Sequence, residues 1–511
     1  MAGKLGKLLP SVADMLKANI SLSRRAFLAM VGASFLGAAA AMLAIHMLLS
    51  VPLPFCLPFL ALGALPWLYV KGRAASRAKV VDENLPFLAL VFAMSAVIPV
   101  SPSLIFSRIL DAPSSTWEEA LKAEARQYLK LRLIEGEIGG CREYGKYNPH
   151  EKFGSFVRDF ADMCERGGDL PGFTSSFLSQ AITSMVKKVE ANANKVLTFA
   201  MITMSLVICV PVTALVLVLF FVIAGSLAMA ANILNMCWLY VVLQLSMSVA
   251  RLGLGEYRLY DYGIPLAPLV ATFNAAAVAW FLMGKLPIWL VFPVVAVLAA
   301  SPAGIYFVVR LTKEARWLNS MARWLTDAAD TVRVAGSARQ AIMRAEPKYH
   351  PAFNKLLERA KAIVVTRGYM AALDFLAENS LNVNVKKAWE LVKAGAEFGT
   401  EKPAFYDMLA EFFRGLEASL KKAITIVLWP LAIVSAVCAL LGALIPMILS
   451  SVVAIAQVTV PGLENIRLVA AAMAFAAAFS TGFVATGKLA GSALFVALGM
   501  LAFIIGSVLL A

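Results

Sequence analysis

The sequence predicts an all-α fold: a polytopic helical membrane protein of about nine transmembrane helices, with two cytoplasmic helical-bundle domains related by internal duplication. Three observations predict it. Of the 32 acidic residues, 28 lie in two segments, 72–195 and 310–422. Seven runs, 26–70, 196–250, 262–284, 286–309, 423–463, 468–487 and 489–511, contain no Lys, Arg, Asp or Glu. The mean hydropathy is +0.77 with 60% apolar residues, outside the range of soluble domains. A charge in hydrocarbon is costly, so runs this long imply lipid-embedded helices.

Each element follows in order. Segment 1–25 is a basic cytoplasmic N-terminus with Lys4, Lys7, Lys17, Arg24 and Arg25 against the single acid Asp14. Residues 26–71 form a transmembrane hairpin, hinged where prolines stand at 52, 54 and 58. The first apolar run continues far past a cleavable signal segment and is expected to be a retained span. Domain 72–195 follows, then spans three to six in 196–309, with a break near Gly225-Ser226. Domain 310–422 follows, and 423–511 hold spans seven to nine. Lys and Arg cluster beside alternate ends of these spans, which predicts that the N-terminus and both domains are cytoplasmic and the C-terminus extracellular.

Both polar blocks read as helical. Phe153, Phe156, Val157, Phe160 and Met163 recur at helical spacing in the first. In the second, Leu356, Leu357, Ala360, Ile363 and Val364 do the same after Pro351, as do Phe405, Met408, Leu409, Phe412, Phe413, Leu416 and Leu420 after Pro403. Thr116 and Glu119 have capping-box spacing before Leu121, and Ser101-Pro102 reads as an N-cap with proline at the first helical position. The blocks share an order of events. A membrane hairpin leads into an apolar helix (84–97 and 317–334), and a short break follows (Pro99–Pro102 and Ala335–Ser337). A final amphipathic helix then runs into a span. This parallel predicts duplication.

Chemistry is sparsely represented. Six cysteines and three histidines show no metal-ligand spacing, so no metal or other cofactor is expected. Gly482–Lys488 spells most of a phosphate loop, but Leu489 stands where Ser or Thr would hold Mg²⁺ and no strand precedes it. Asp159/Asp162 and Asp327/Asp330 are carboxylate pairs at i,i+3 among basic neighbours, read as surface charge rather than as acid–base pairs. No charged residue lies within the spans, which argues against ion-coupled transport. The net charge of +14 divides unevenly: segment 72–195 carries 16 basic and 15 acidic residues, segment 310–422 carries 19 and 13. The juxtamembrane excess is assigned to topology and anionic lipid rather than nucleic acid, and the excess in 310–422 to an acidic partner or to a solvated basic face near anionic lipid.

Asp82-Glu83-Asn84-Leu85-Pro86-Phe87 resembles the acidic-Leu-Pro-Phe opening of the first cytoplasmic helix in the integral-membrane assembly-platform family of type IV filament machines. That family carries the type II secretion F domain, in its two-domain archaeal form serving pili or archaella. Val100–Ser103 occupies the place of its first turn, and Arg166-Gly167-Gly168-Asp169-Leu170 resembles its Gly-Gly-Asp-Leu turn. Val334-Ala335-Gly336-Ser337 matches the first turn again in the second block, with Ala394–Gly399 a loose second turn. The resemblance covers about 79–225 and 317–450. It implies a scaffold rather than an enzyme. A separate cytoplasmic hexameric secretion ATPase would work on its soluble domains, pilin or archaellin subunits would be its cargo, and a homodimer would be its assembly. Gly167, Gly168, Asp169 and Gly336 are then candidate partner-docking turns, and Lys386, Lys387 and Arg414 candidate basic contacts for the ATPase. A membrane transporter or permease is the alternative function class.

Overall fold

The computed structural model describes residues 17–18, 24–49, 65–98, 100–113, 116–223, 285–380, 382–398, 402–456, 463–486 and 489–509, with scattered positions between 232 and 282. Expectations for the 52–58 hinge, the Gly225-Ser226 break, the fourth and most of the fifth span, and the Gly487-Lys488 turn lie outside the described residues.

The described secondary structure is helical, with no strand among the described residues. Helices α1 (Arg24–Leu49) and α2 (Leu65–Glu83) lead in. The first block comprises α3 (Leu85–Val97), α4 (Pro102–Asp111), α5 (Glu119–Lys146) and α6 (Glu151–Arg166), and α7 (Leu170–Ile223) continues from it. The second block begins within α8 (Ile288–Ala335) and continues as α9 (Arg339–Met343), α10 (Pro351–Arg367), α11 (Tyr369–Asn379), α12 (Val383–Glu397) and α13 (Pro403–Ala456). Helices α14 (Leu463–Thr486) and α15 (Leu489–Leu509) complete the chain's described part. Helix α5 begins after Glu118, so Thr116 stands outside it and the expected capping box does not form.

Four helices among the described residues are long and apolar enough to cross a membrane, or five if the pair α2–α3, bent by 62°, counts as one span. These are fewer than the nine expected. The four lie in α8, α13, α14 and α15, the expected sixth to ninth spans. Helix α3 reads better as core than as lipid-facing. It is only 13 residues long, and Leu88, Leu90, Phe92 and Met94 are fully buried.

The chain divides into two compact units. The first unit joins residues 1–183 with 320–413, so it holds most of both polar blocks. Phe92 is the hub of the first block, with ring centroids of Phe106, Tyr128, Phe153, Phe156 and Phe160 5.1–6.2 Å away. In the second block Trp324 sits 4.4 Å from Trp389, which stacks on Phe353. The two blocks touch: Phe87 meets Phe412 edge-on at 4.8 Å, and Arg108 pairs with Glu397 at 2.7 Å. Helix α2 is clamped to the first block by a buried ion pair. Arg77 Nε and Nη2 reach the two Glu124 oxygens at 2.5 and 2.8 Å, while Tyr144 OH donates to Glu124 at 2.8 Å. His150, the N-cap of α6, lies 3.0 Å from Asp82 on the same helix α2.

The blocks keep one register. Helix α5 starts at 119 and α10 at 351, while α6 starts at 151 and α12 at 383, a constant offset of 232 residues. Gly136 interrupts α5 at φ 75°, ψ −177°, and Gly368 separates α10 from α11 at φ 91°, ψ 173°, again 232 residues on. Such φ values favour glycine, so the same backbone break recurs at the same place. The hub residues Phe92 and Trp324 share that spacing.

The second unit, 184–319 with 414–511, is built on α13–α15. Val434, Cys438 and Leu441 of α13 pack with Ala471, Ala474 and Ala478 of α14 and with Phe495 and Met500 of α15. Helices without a hydrophobic drive between them approach through small residues. A Cβ on Gly506 would lie 2.2 Å from the Ala439 carbonyl oxygen, so only glycine admits that crossing. Gly482 is inside α14 and packs beside Ser492, so the phosphate-loop spelling is helical as far as Thr486. Glu190 and Lys422 form an ion pair in this unit at positions 232 apart, the same register once more.

Candidate functional site

The Gly-Gly-Asp-Leu segment is a stop-and-start device between two helices. Gly167 ends α6 in the left-handed region at φ 72°, and the N–H groups of Gly167 and Gly168 both donate to the Met163 carbonyl, at 3.0 and 3.2 Å. Asp169 Oδ1 then accepts from Gly172 N at 3.1 Å, satisfying one of the orphan N–H groups that open α7. The three residues are exposed. Replacing Gly167 by Val is expected to destabilise the fold by roughly 1–2 kcal/mol, because a β-branched residue resists φ > 0. Gly168→Ala is expected to cost less, since its Cβ would meet only the flexible tip of Met163. Thermal melts of the two variants check the order.

The first turn lies beside the second. Ser101 is extended and precedes α4 with Pro102 at its first position, and Ser101 and Ser103 share a hydroxyl hydrogen bond of 2.7 Å. Ser103 N and Tyr128 OH both donate to Glu137 Oε1, at 3.3 and 3.0 Å, while Arg132 holds Glu137 Oε2 at 2.8 Å. Glu137 follows the Gly136 break directly, so the break aims this carboxylate at the α4 start. Val100, Ser101 and Pro102 of the first turn and Leu170 of the second line one open cavity of about 250 Å³, together with Glu137 and Cys141. The two turns thus form one pole of the first block. Burial pushes the Cys141 thiol up to about 12, leaving no thiolate there at neutral pH.

The second block also turns at Val334–Ser337, with a left-handed glycine where Ser101 of the first turn is extended. Gly336 closes α8 at φ 72°, its N–H donating to Val332 O, and Ser337 Oγ accepts from Arg339 N at 3.2 Å. Gly399, the end of the loose second turn, lies outside the described residues.

The expected basic contacts differ in burial. Lys387 is corrected: it is 1% exposed and cannot meet an outside partner. Its ammonium lies 4.5 Å from the Phe87 ring centroid and 5.4 Å from that of Trp117, joining the second block to the first. Burial lowers its pKa to about 8, against the opposing pull of Glu118. Lys386 beside it is half-buried, while Arg414 is exposed and belongs to the second compact unit. The Lys387–Phe87–Trp117 contact was hidden in the sequence, because 300 residues separate Lys387 from Phe87.

Three of the four carboxylates at i,i+3 spacing are held by partners. Asp162 receives Arg142 at 2.8 Å, Asp330 receives Arg333 at 2.6 Å, and Asp327 accepts from Tyr349 OH with Lys348 at 3.2 Å. Among the described residues no group of three His, Cys, Asp or Glu could hold a metal ion. No family model, curated protein or solved structure matches the chain.

Proposed function

We propose that this chain is a membrane-embedded assembly platform: a scaffold that couples a separate cytoplasmic hexameric ATPase to the insertion of pilin-like subunits into a type IV filament. The observation that carries the reading is continuity of helix. Helix α7 runs unbroken from the Gly-Gly-Asp-Leu turn at Leu170 to Ile223, and α13 from Pro403 to Ala456, each joining a polar block to an uncharged run. A continuous helix transmits a push or a turn along its length, which a loop absorbs. The common 232-residue register supports descent of both blocks from one duplicated unit, and hence two equivalent handles. In this reading the N-terminus and both blocks are cytoplasmic and the C-terminus extracellular, lipids surround the spans, and the platform works as a homodimer. The platform holds no cofactor, and the ATPase supplies the energy.

The test is co-purification of the full chain with a secretion-type hexameric ATPase from the same organism. Lys386→Glu with Arg414→Glu is expected to abolish retention of the ATPase while leaving membrane insertion intact. Unchanged retention removes those two residues from the contact. A parent chain that never retains the ATPase sinks the platform reading.

A further inference from the structure

Exposed apolar side chains occur at matching places in the two blocks. Leu133 and Ile134 of α5 are 83% and 67% exposed, just ahead of the Gly136 break; Val365 of α10 is 69% exposed, just ahead of Gly368. Positions 133 and 365 are 232 apart, the register of the helices themselves. On α5 the exposed positions 126, 130, 133 and 134 share one face, and on α10 the equivalent positions 358, 362, 365 and 366 are exposed too. A single exposed leucine carries no information. Recurrence at the same register beside the same backbone break does, because each such side chain forgoes the gain of burial.

The surroundings are mainly basic. Lys130 on α5, and Arg359 and Arg367 on α10, are exposed and have no ion-pair partner among the described residues. Nearby Arg126 is paired with Glu119, Arg132 with Glu137, and Glu358 with Lys361, leaving Glu135 as the exposed carboxylate beside Ile134. One or two apolar residues with cations alongside make a knob, not the continuous apolar face that a bilayer surface requires. Both knobs belong to the first compact unit.

We infer that Leu133-Ile134 and Val365 are paired docking knobs for a cytosolic oligomer, whose neighbouring subunits each present an apolar pocket rimmed by carboxylates. The inference rests on the platform reading and takes the hexameric ATPase as that oligomer. Two linked contacts multiply in affinity, so each knob is worth more than its own buried area.

The probe is the purified ATPase titrated onto the full chain in nanodiscs. Leu133→Ser with Ile134→Ser, and separately Val365→Ser, are each expected to raise Kd at least tenfold, and the combination to reduce binding to background. Melting transitions should be unchanged, as the positions are exposed. Lys130→Glu with Arg367→Glu should weaken binding and flatten its salt dependence. If the parent binds and the apolar variants bind equally well, the knobs are overturned while the platform reading stands. Lost binding together with a lost melting transition also counts against them. If the parent does not bind, both fall.

Discussion

Arg77→Ala is expected to destabilise the first compact unit by about 3–5 kcal/mol, because it strands the Glu124 carboxylate in a buried site. Arg77 and Glu124 are 9% and 3% exposed, and the guanidinium makes two bonds to the carboxylate and a third to the Lys17 carbonyl at 2.9 Å. Tyr144 OH also donates to Glu124 but brings no positive charge. The ion pair fastens α2 to the bundle alongside the His150–Asp82 contact, so the loss has a location as well as a size. Limited proteolysis of the variant should cut within α2, between 71 and 83, before it cuts elsewhere. Replacing both partners by apolar residues, Arg77→Met with Glu124→Leu, should recover most of the lost stability, since no unpaired charge then remains. A thermal melt of Arg77→Ala that matches the parent would show that water reaches Glu124 and that the clamp holds nothing.

How much of this was legible in the sequence differs by feature. The apolar stripes at 153–163, 356–364 and 405–420 declare helices through local periodicity, and those residues turn inward, Phe153, Leu357 and Phe412 among them. The breaks at Gly167 and Gly336 were legible for the same reason, because a glycine closing a helix acts through its own backbone. The break at Gly136 was not. It lies between Glu135 and Glu137 inside a strongly helical run, and only its counterpart Gly368, 232 residues away, gives it meaning. The uncharged runs announced membrane helices, but the polar stretch from 72 and the wholly apolar α3 meet at a bend of 62° that composition does not encode. Least legible was charge. A count of Lys and Arg treats every cation as surface, and it assigned Lys387 to a partner while the fold spends it on Phe87 and Trp117. Burial is a property of contacts distant in sequence, which a local pattern does not carry.

That buried lysine makes its own prediction. With the folded pKa of Lys387 lowered to about 8 against 10.5 for the free side chain, both folded and unfolded chains carry the proton below pH 8, and its burial penalty is present in full. Between pH 8 and 10.5 the folded chain gives up the proton while the unfolded chain retains it. The unfolded state then binds more protons, so stability rises with pH across that window. A separation of this size corresponds to about 3 kcal/mol. The rings of Phe87 and Trp117 offset part of the penalty while the ammonium is charged, by about 2 kcal/mol for a desolvated cation–π contact. Lys387→Met keeps the apolar stem and removes the proton. The variant is therefore expected to be at least as stable as the parent at pH 7, and to lose its advantage as pH rises towards 10. Melting both proteins at pH 7 and pH 9.5 and taking the difference cancels the titration of every other lysine and tyrosine. A parent whose stability relative to Lys387→Met falls over that interval would mean that the ammonium is better stabilised inside the fold than in water. The contact between the blocks would then be held by the charge itself rather than by the apolar surface around it.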